Sequence, residues 1–157
     1  MTSISRSLLA VTSLAFTLAA APAARAELAK WDQAKVTALA KQLSEATDAM
    51  NDTFYKQPPP SVGSMQSREY QQLRQRVRMI RMEAGSLSKS LAKGEGYEET
   101  LPSYESLMEL VRDARRIVPS VFTTQDVQTK ATAIRVVLNE LAPYYDPDAV
   151  PLEPAMR

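Results

Sequence analysis

The sequence predicts an all-α protein, an antiparallel up-down-up-down four-helix bundle behind a cleaved export signal. Three observations carry that expectation. Four stretches repeat their apolar residues at steps of three and four. Apart from Gly85 and Pro102, the prolines and glycines after residue 26 fall between or beyond those stretches and not along them. No stretch alternates apolar and polar residues with the period of two that a half-buried strand needs.

Residues 1–26 read as the signal. Arg6 supplies a basic start, and Ser7 to Ala24 carry no charge. Ala24-Arg25-Ala26 presents the small residues that signal peptidase accepts, so cleavage is expected before Glu27. The Leu/Val/Phe-dense part, Leu8 to Leu18, is about 11 residues long, whereas a membrane-spanning helix needs about 20. The expected location is therefore periplasmic or secreted, with no stable membrane anchor after cleavage. With one arginine the twin-arginine route is not indicated, and without cysteine no lipid can be attached in the lipoprotein manner.

The first helical segment is expected from about Leu28 to Tyr55, with Val36, Leu39, Leu43, Ala46, Met50 and Phe54 on one face. Pro58-Pro59-Pro60 ends it. The second, about Met65 to Lys93, has the most regular pattern. Tyr70, Leu73, Val77, Ile80, Ala84, Leu87 and Leu91 alternate three and four without a break, a three-heptad seam. Gly94-Glu95-Gly96 stops it.

The third segment, about Leu101 to Val118, carries Tyr104, Leu107, Met108, Val111, Ala114 and Val118. Thr100 is its expected cap, and Pro102 falls in the expected first turn. Pro119 ends it. The fourth, about Thr124 to Ala142, carries Val127, Ala131, Ile134, Leu138 and Leu141. Thr123 is its expected cap with Asp126 as the reciprocal acid. Residues 143–157 then read as an extended, proline-spaced tail lying on the bundle. One domain of about 131 residues remains after cleavage, long enough for a core without staples. No self-similarity of solenoid period is present.

Composition excludes several chemistries. The chain has no Cys and no His. Covalent haem attachment through C-x-x-C-H, axial histidine ligation, E-x-x-H di-iron sites and N/S zinc sites are therefore closed to it. Imidazole-assisted nucleophiles are closed as well. No Gly-rich phosphate loop occurs, nor the L-T-x-x-Q repeat of helical stress chaperones. No cofactor is expected. Without Arg6 and Arg25, seventeen basic residues stand against eighteen acidic ones, so bulk attraction to nucleic acid is not indicated.

Four candidate features remain. Arg74, Arg78 and Arg81 step along the second segment in one stripe beside the seam. Folding back at Gly96 brings Arg112, Arg115 and Arg116 to the same level, where the six guanidinium groups would form an anion or partner surface. Opposed to this, Glu69, Glu83 and Asp113 could pair with several of them, and arginines ending a helix offset its dipole. Trp31, Tyr97, Tyr144 and Tyr145 are expected at the opposite end, as an exposed patch or a small pocket, or capped by the returning tail. Met50, Met79, Met82 and Met108 are thioethers that could hold Cu(I), or fill core gaps. Glu45, Asp48 and Asp52 make an acidic stripe that reads as a solvated face.

The expected function is non-enzymatic: binding of a protein partner, or self-assembly into a homo-oligomer, through the arginine end. The alternative is small-ligand or Cu(I) binding within the bundle. An enzyme using only carboxylates, Arg, Tyr and Ser would need a deep pocket with two acids about 5–10 Å apart. The export reading has a direct test. When the full chain is expressed in a bacterial host, N-terminal sequencing of the exported product should begin at Glu27; retention of residues 1–26 would refute it.

Overall fold

In the computed structural model, residues 27–61, 63 and 65–153 are described. The expected signal, residues 1–26, and the end of the tail, residues 154–157, lie outside them. The described chain is all-helical, with four α-helices and no strand. They are α1 (Gln33–Lys56), α2 (Met65–Ala92), α3 (Tyr97–Ile117) and α4 (Gln125–Tyr145). A single 3-10 turn, Val118–Ser120, follows α3. No described helix is long and apolar enough to cross a membrane.

All seven residues of the α2 seam are buried, from Tyr70 to Leu91. They pack with Val36, Leu39, Leu43 and Phe54 of α1, Leu107 and Val111 of α3, and Ile134, Leu138 and Leu141 of α4 in one core. Each such Leu or Phe contributes about 1.5–3 kcal/mol by leaving water, far more than any local propensity term. Packing therefore decides which stretches are helical.

Several boundaries move from their expected places. α1 begins at Gln33, not Leu28, because the Asp32 carboxylate accepts from the Lys35 amide at 3.0 Å and caps it there. α2 ends as expected at the glycine turn. Gly94 adopts φ +89°, its amide donates to the Leu91 carbonyl, and the Glu95 amide donates to the Ser90 carbonyl. That pair of bonds is a Schellman closure, which favours glycine at the left-handed position.

α3 starts at Tyr97, a turn earlier than expected. Thr100 is inside the helix and fully buried, so it is not the cap. The Glu99 carboxylate instead accepts from the Gly96 amide at 3.0 Å, one half of a capping box. α4 is capped by Thr124, one residue after the expected Thr123. It also continues through Pro143 to Tyr145, three residues into the expected tail. An interior proline costs a helix about 3 kcal/mol or more, so something must hold these last residues in place. Tyr144 and Tyr145 are both buried, and the Ala29 amide donates to the Pro143 carbonyl at 2.8 Å.

Specific contacts show which helix ends meet. Gln33 Nε2, at the start of α1, donates to the carbonyls of Leu91, in the last turn of α2, and Glu95, just beyond it, each at 3.1 Å. At the other end, Phe54 stacks on Tyr70 with ring centroids 5.0 Å apart. The start of α1 also meets the end of α4 through Trp31 and Tyr145. α2 joins α3 through Arg76 and Asp113 at 3.5 Å. α1 thus lies between α4 and α2, and α2 between α1 and α3. α3 and α4 touch each other least of the neighbouring helices.

Gln57 ties the end of α1 to the loop before α4. Its Nε2 donates to the Phe122 carbonyl at 2.9 Å, and its Oε1 accepts from the Thr124 amide at 3.1 Å. Gln57 is buried, and both bonds are partly shielded from water. Gln57→Ala should therefore lower the unfolding free energy by about 1–3 kcal/mol, because it removes two partly shielded hydrogen bonds of about 0.5–1.5 kcal/mol each. Urea denaturation would measure this, and an unchanged midpoint would contradict it.

Candidate functional site

The six arginines lie in different surroundings on different sides of the bundle. On α2, Arg74 lies over the Tyr55 ring of α1, 4.1 Å from its centroid. Arg81 pairs with Asp48 of α1 at 3.5 Å, and Arg78 is exposed. This stripe turns toward α1. On α3, Arg116 pairs with Asp113, and Asp113 also holds Arg76 of α2. Arg115 donates to the Glu153 carbonyl of the tail at 2.8 Å. Arg112, Arg115 and Arg116 line a recess between α3 and the tail that also contains Glu105, Glu109, Asp146, Asp148 and Glu153. Five carboxylates against three guanidinium groups make that recess acidic on balance. The helix phase of α2, set by its buried seam, directs Arg74, Arg78 and Arg81 away from the arginines of α3, whereas Arg76 faces them through Asp113.

The four expected aromatics do come together. Trp31 meets Tyr97, Tyr144 and Tyr145 edge-on, with centroids 6.0, 6.5 and 5.5 Å apart. Tyr104 joins them, stacked on Tyr145 at 4.3 Å. Tyr144 and Tyr145 are buried and belong to α4, so neither an exposed patch nor a tail cap describes this cluster.

Hydrogen bonds fix the rings. The Trp31 indole N–H donates to Gln33 Oε1 at 2.9 Å. The Thr100 hydroxyl donates to the Gly96 carbonyl at 2.6 Å. Its single proton is then committed, so the Tyr145 hydroxyl, 2.9 Å away, donates to Thr100. Burial raises the Tyr145 phenol above its ordinary value, although the bond to Thr100 opposes this.

The methionines occupy separate environments. Met50 and Met108 are buried, Met79 is half-buried and Met82 is 60% exposed. Met50 lines the α3–α4 side of the core, whereas Met108 lines the recess beneath the tail. Of the acidic stripe on α1, Glu45 pairs with Lys41 at 3.9 Å and Asp48 with Arg81.

The concave site lies where α3 and α4 separate. The two helices are clamped together at the aromatic end and part toward the other end, leaving a cleft of about 290 Å³. Its floor is formed by Phe54, Leu73, Val77 and Ile80 of the opposite helices. Ala114 of α3 and Ala131 of α4 form its walls. Ala131 belongs to the apolar stripe of α4 and was expected to be buried, yet it is exposed, because α3 does not reach it. Short side chains at these two positions cannot span the gap.

The rim is polar: Arg115, Thr123, Gln128, Thr132, Arg135 and Glu153. The tail crosses the cleft at one end. Asn139 of α4 accepts from the Leu152 amide at 2.8 Å, and Arg115 of α3 holds the Glu153 carbonyl. The sequence contained a sign of this cleft in the small Ala131 on an otherwise bulky stripe, but nothing local distinguishes a small residue at a close contact from one at a gap. Comparison with protein-family models, with curated proteins and with solved structures finds no match for this chain.

The aromatic end gives a pH prediction. Burial, aided by the Asp146 carboxylate, pushes the Tyr104 phenol from 10.0 up to about 12. In the unfolded chain this group ionises near 10.0, while in the folded chain it stays neutral. The folded state therefore holds the extra proton, and stability falls as pH rises from 10.0 to about 12. Tyr104→Phe should make the melting temperature fall less steeply over that interval while leaving it nearly unchanged at pH 8. Equal slopes for both proteins would refute this assignment.

Proposed function

We propose that this protein is an exported, non-enzymatic, antiparallel up-down-up-down helical bundle that acts by binding a small apolar ligand, and that the α3–α4 cleft is its binding site. The single observation behind this reading is the cleft itself, a concave apolar surface that reaches the core between two helices. Binding sites are characteristically concave and mostly apolar, with a few polar groups at defined positions. The rim of Arg115, Gln128, Thr132 and Arg135 supplies those groups. The export reading rests on residues 1–26.

This favours the small-ligand reading over a partner surface at the arginine end. Three of the six arginines there are engaged by acids or by a ring, and Arg115 is engaged by the tail backbone. It also favours an organic ligand over Cu(I), because Met50 alone of Met50, Met79, Met82 and Met108 lines this cleft.

The test is to fill the cleft. Ala131 is exposed at its wall, so a larger side chain there has room without displacing the core. The fluorescence of N-phenylnaphthylamine should rise when the wild-type protein is added. Ala131→Phe should weaken that binding by about tenfold or more, equivalent to about 1.4 kcal/mol, with an equal or higher melting temperature. Ala131→Ser, which leaves the space open, should retain binding. Undiminished dye binding by a folded Ala131→Phe protein would overturn the proposal.

A further inference from the structure

We infer that the ligand of the α3–α4 cleft is an aliphatic monocarboxylate whose head group is held by Arg135; this rests on the proposal that the cleft is a binding site. The inner surface sets the apolar part. Leu73, Val77, Ile80, Val111, Ile134 and Leu138 present aliphatic carbon. A peptide backbone lying there would lose water from its amides and gain few partners, since the polar groups are at the rim. Each unpaired buried amide would cost about 1–3 kcal/mol. A hydrocarbon chain has no such groups. The volume of about 290 Å³ lies at the small end of the ligand-site range, roughly 300–1,000 Å³, which suits one short or medium chain and not a two-chain lipid.

The rim sets the head group. It holds two guanidinium groups, Arg115 from α3 and Arg135 from α4, and one carboxylate, Glu153. The balance is one positive charge, which matches a monoanion better than a dianion or a cation. The two arginines are not equivalent. Arg115 is already donating to the Glu153 carbonyl. Arg135 has no ion pair or side-chain hydrogen bond among the described residues, and it is half-buried. A partly desolvated guanidinium gains most from a carboxylate, which it can bind with two parallel charge-assisted bonds. Such a head group would also stand beside Arg115, in competition with the tail carbonyl.

The experiment compares three probes of equal chain length, decanoate, decanol and decyltrimethylammonium, by calorimetry below their micelle concentrations at pH 8. Wild-type protein should bind decanoate at least tenfold more tightly than decanol and should bind the cation weakest. Arg135→Gln should weaken decanoate about tenfold or more and leave decanol unchanged, with Arg135→Lys intermediate. Raising the salt concentration should weaken decanoate alone. Equal wild-type affinity for decanoate and decanol, or decanoate binding indifferent to Arg135→Gln, would overturn the carboxylate assignment while leaving the cleft a binding site. Capture of an acidic amphipathic peptide without any decanoate binding would overturn it too. If no probe binds and folded Ala131→Phe binds N-phenylnaphthylamine as tightly as wild type, both this inference and the proposed function fall.

Discussion

Tyr145 stands where three helices meet. Its ring stacks on Tyr104 of α3, meets Trp31 just before α1 edge-on, and belongs to the last turn of α4. Its hydroxyl closes a chain of bonds through Thr100 to the Gly96 carbonyl. Aromatic pairs add about 0.5–1.5 kcal/mol each beyond the area they bury, and Tyr145 takes part in three of them. Together with burial, that outweighs the cost of carrying α4 through Pro143. It also accounts for the early start of α3, because Thr100 must be helical to place its hydroxyl against Tyr145. The clamp thus fixes the direction of both helices at one end.

The cleft follows from that clamp. Helices held at one end approach or diverge at the other according to the side chains between them. Between α3 and α4 those side chains include Ala114 and Ala131, too short to close the distance. α1 and α2 are not free to compensate. They are held to each other at both ends, by Gln33 on one side and by the Phe54–Tyr70 stack on the other. The gap therefore opens onto their inner faces, and the chain covers part of it by laying residues 152 and 153 across the rim. A bundle closed on three sides and loose on the fourth leaves an apolar cleft between its helices without needing a loop to shape it.

The periodic segments were legible because burial repeats with the helix. The α2 seam is buried at each of its seven expected positions, and the four helices occupy the four expected stretches. The boundaries were less so. A helix start depends on which groups cap it, and the Asp32 carboxylate, the Glu99 carboxylate on the Gly96 amide and the Thr124 hydroxyl were chosen over their neighbours by where the chain has to go next. Gln57 carried no signal at all. A glutamine after a helix is ordinary, and its two bonds exist only because the α3–α4 loop folds back over it. Whether two arginine stripes on different helices face one another depends on the rotation of each helix about its axis, which no single stripe reveals.

The sequence by itself determined the helical class, most of the core and the absence of any thiol or imidazole chemistry. These depend on period and atom type, which are properties of the chain read locally. The tertiary structure alone decided that the aromatics form a buried clamp, that the arginines part company, and that Ala131 lines a cleft instead of a contact. Each of those is a relation between helices. A hydrophobic stripe says that a face must be covered, but the distance at which the covering helix sits is set elsewhere, here by one tyrosine at the far end of α4.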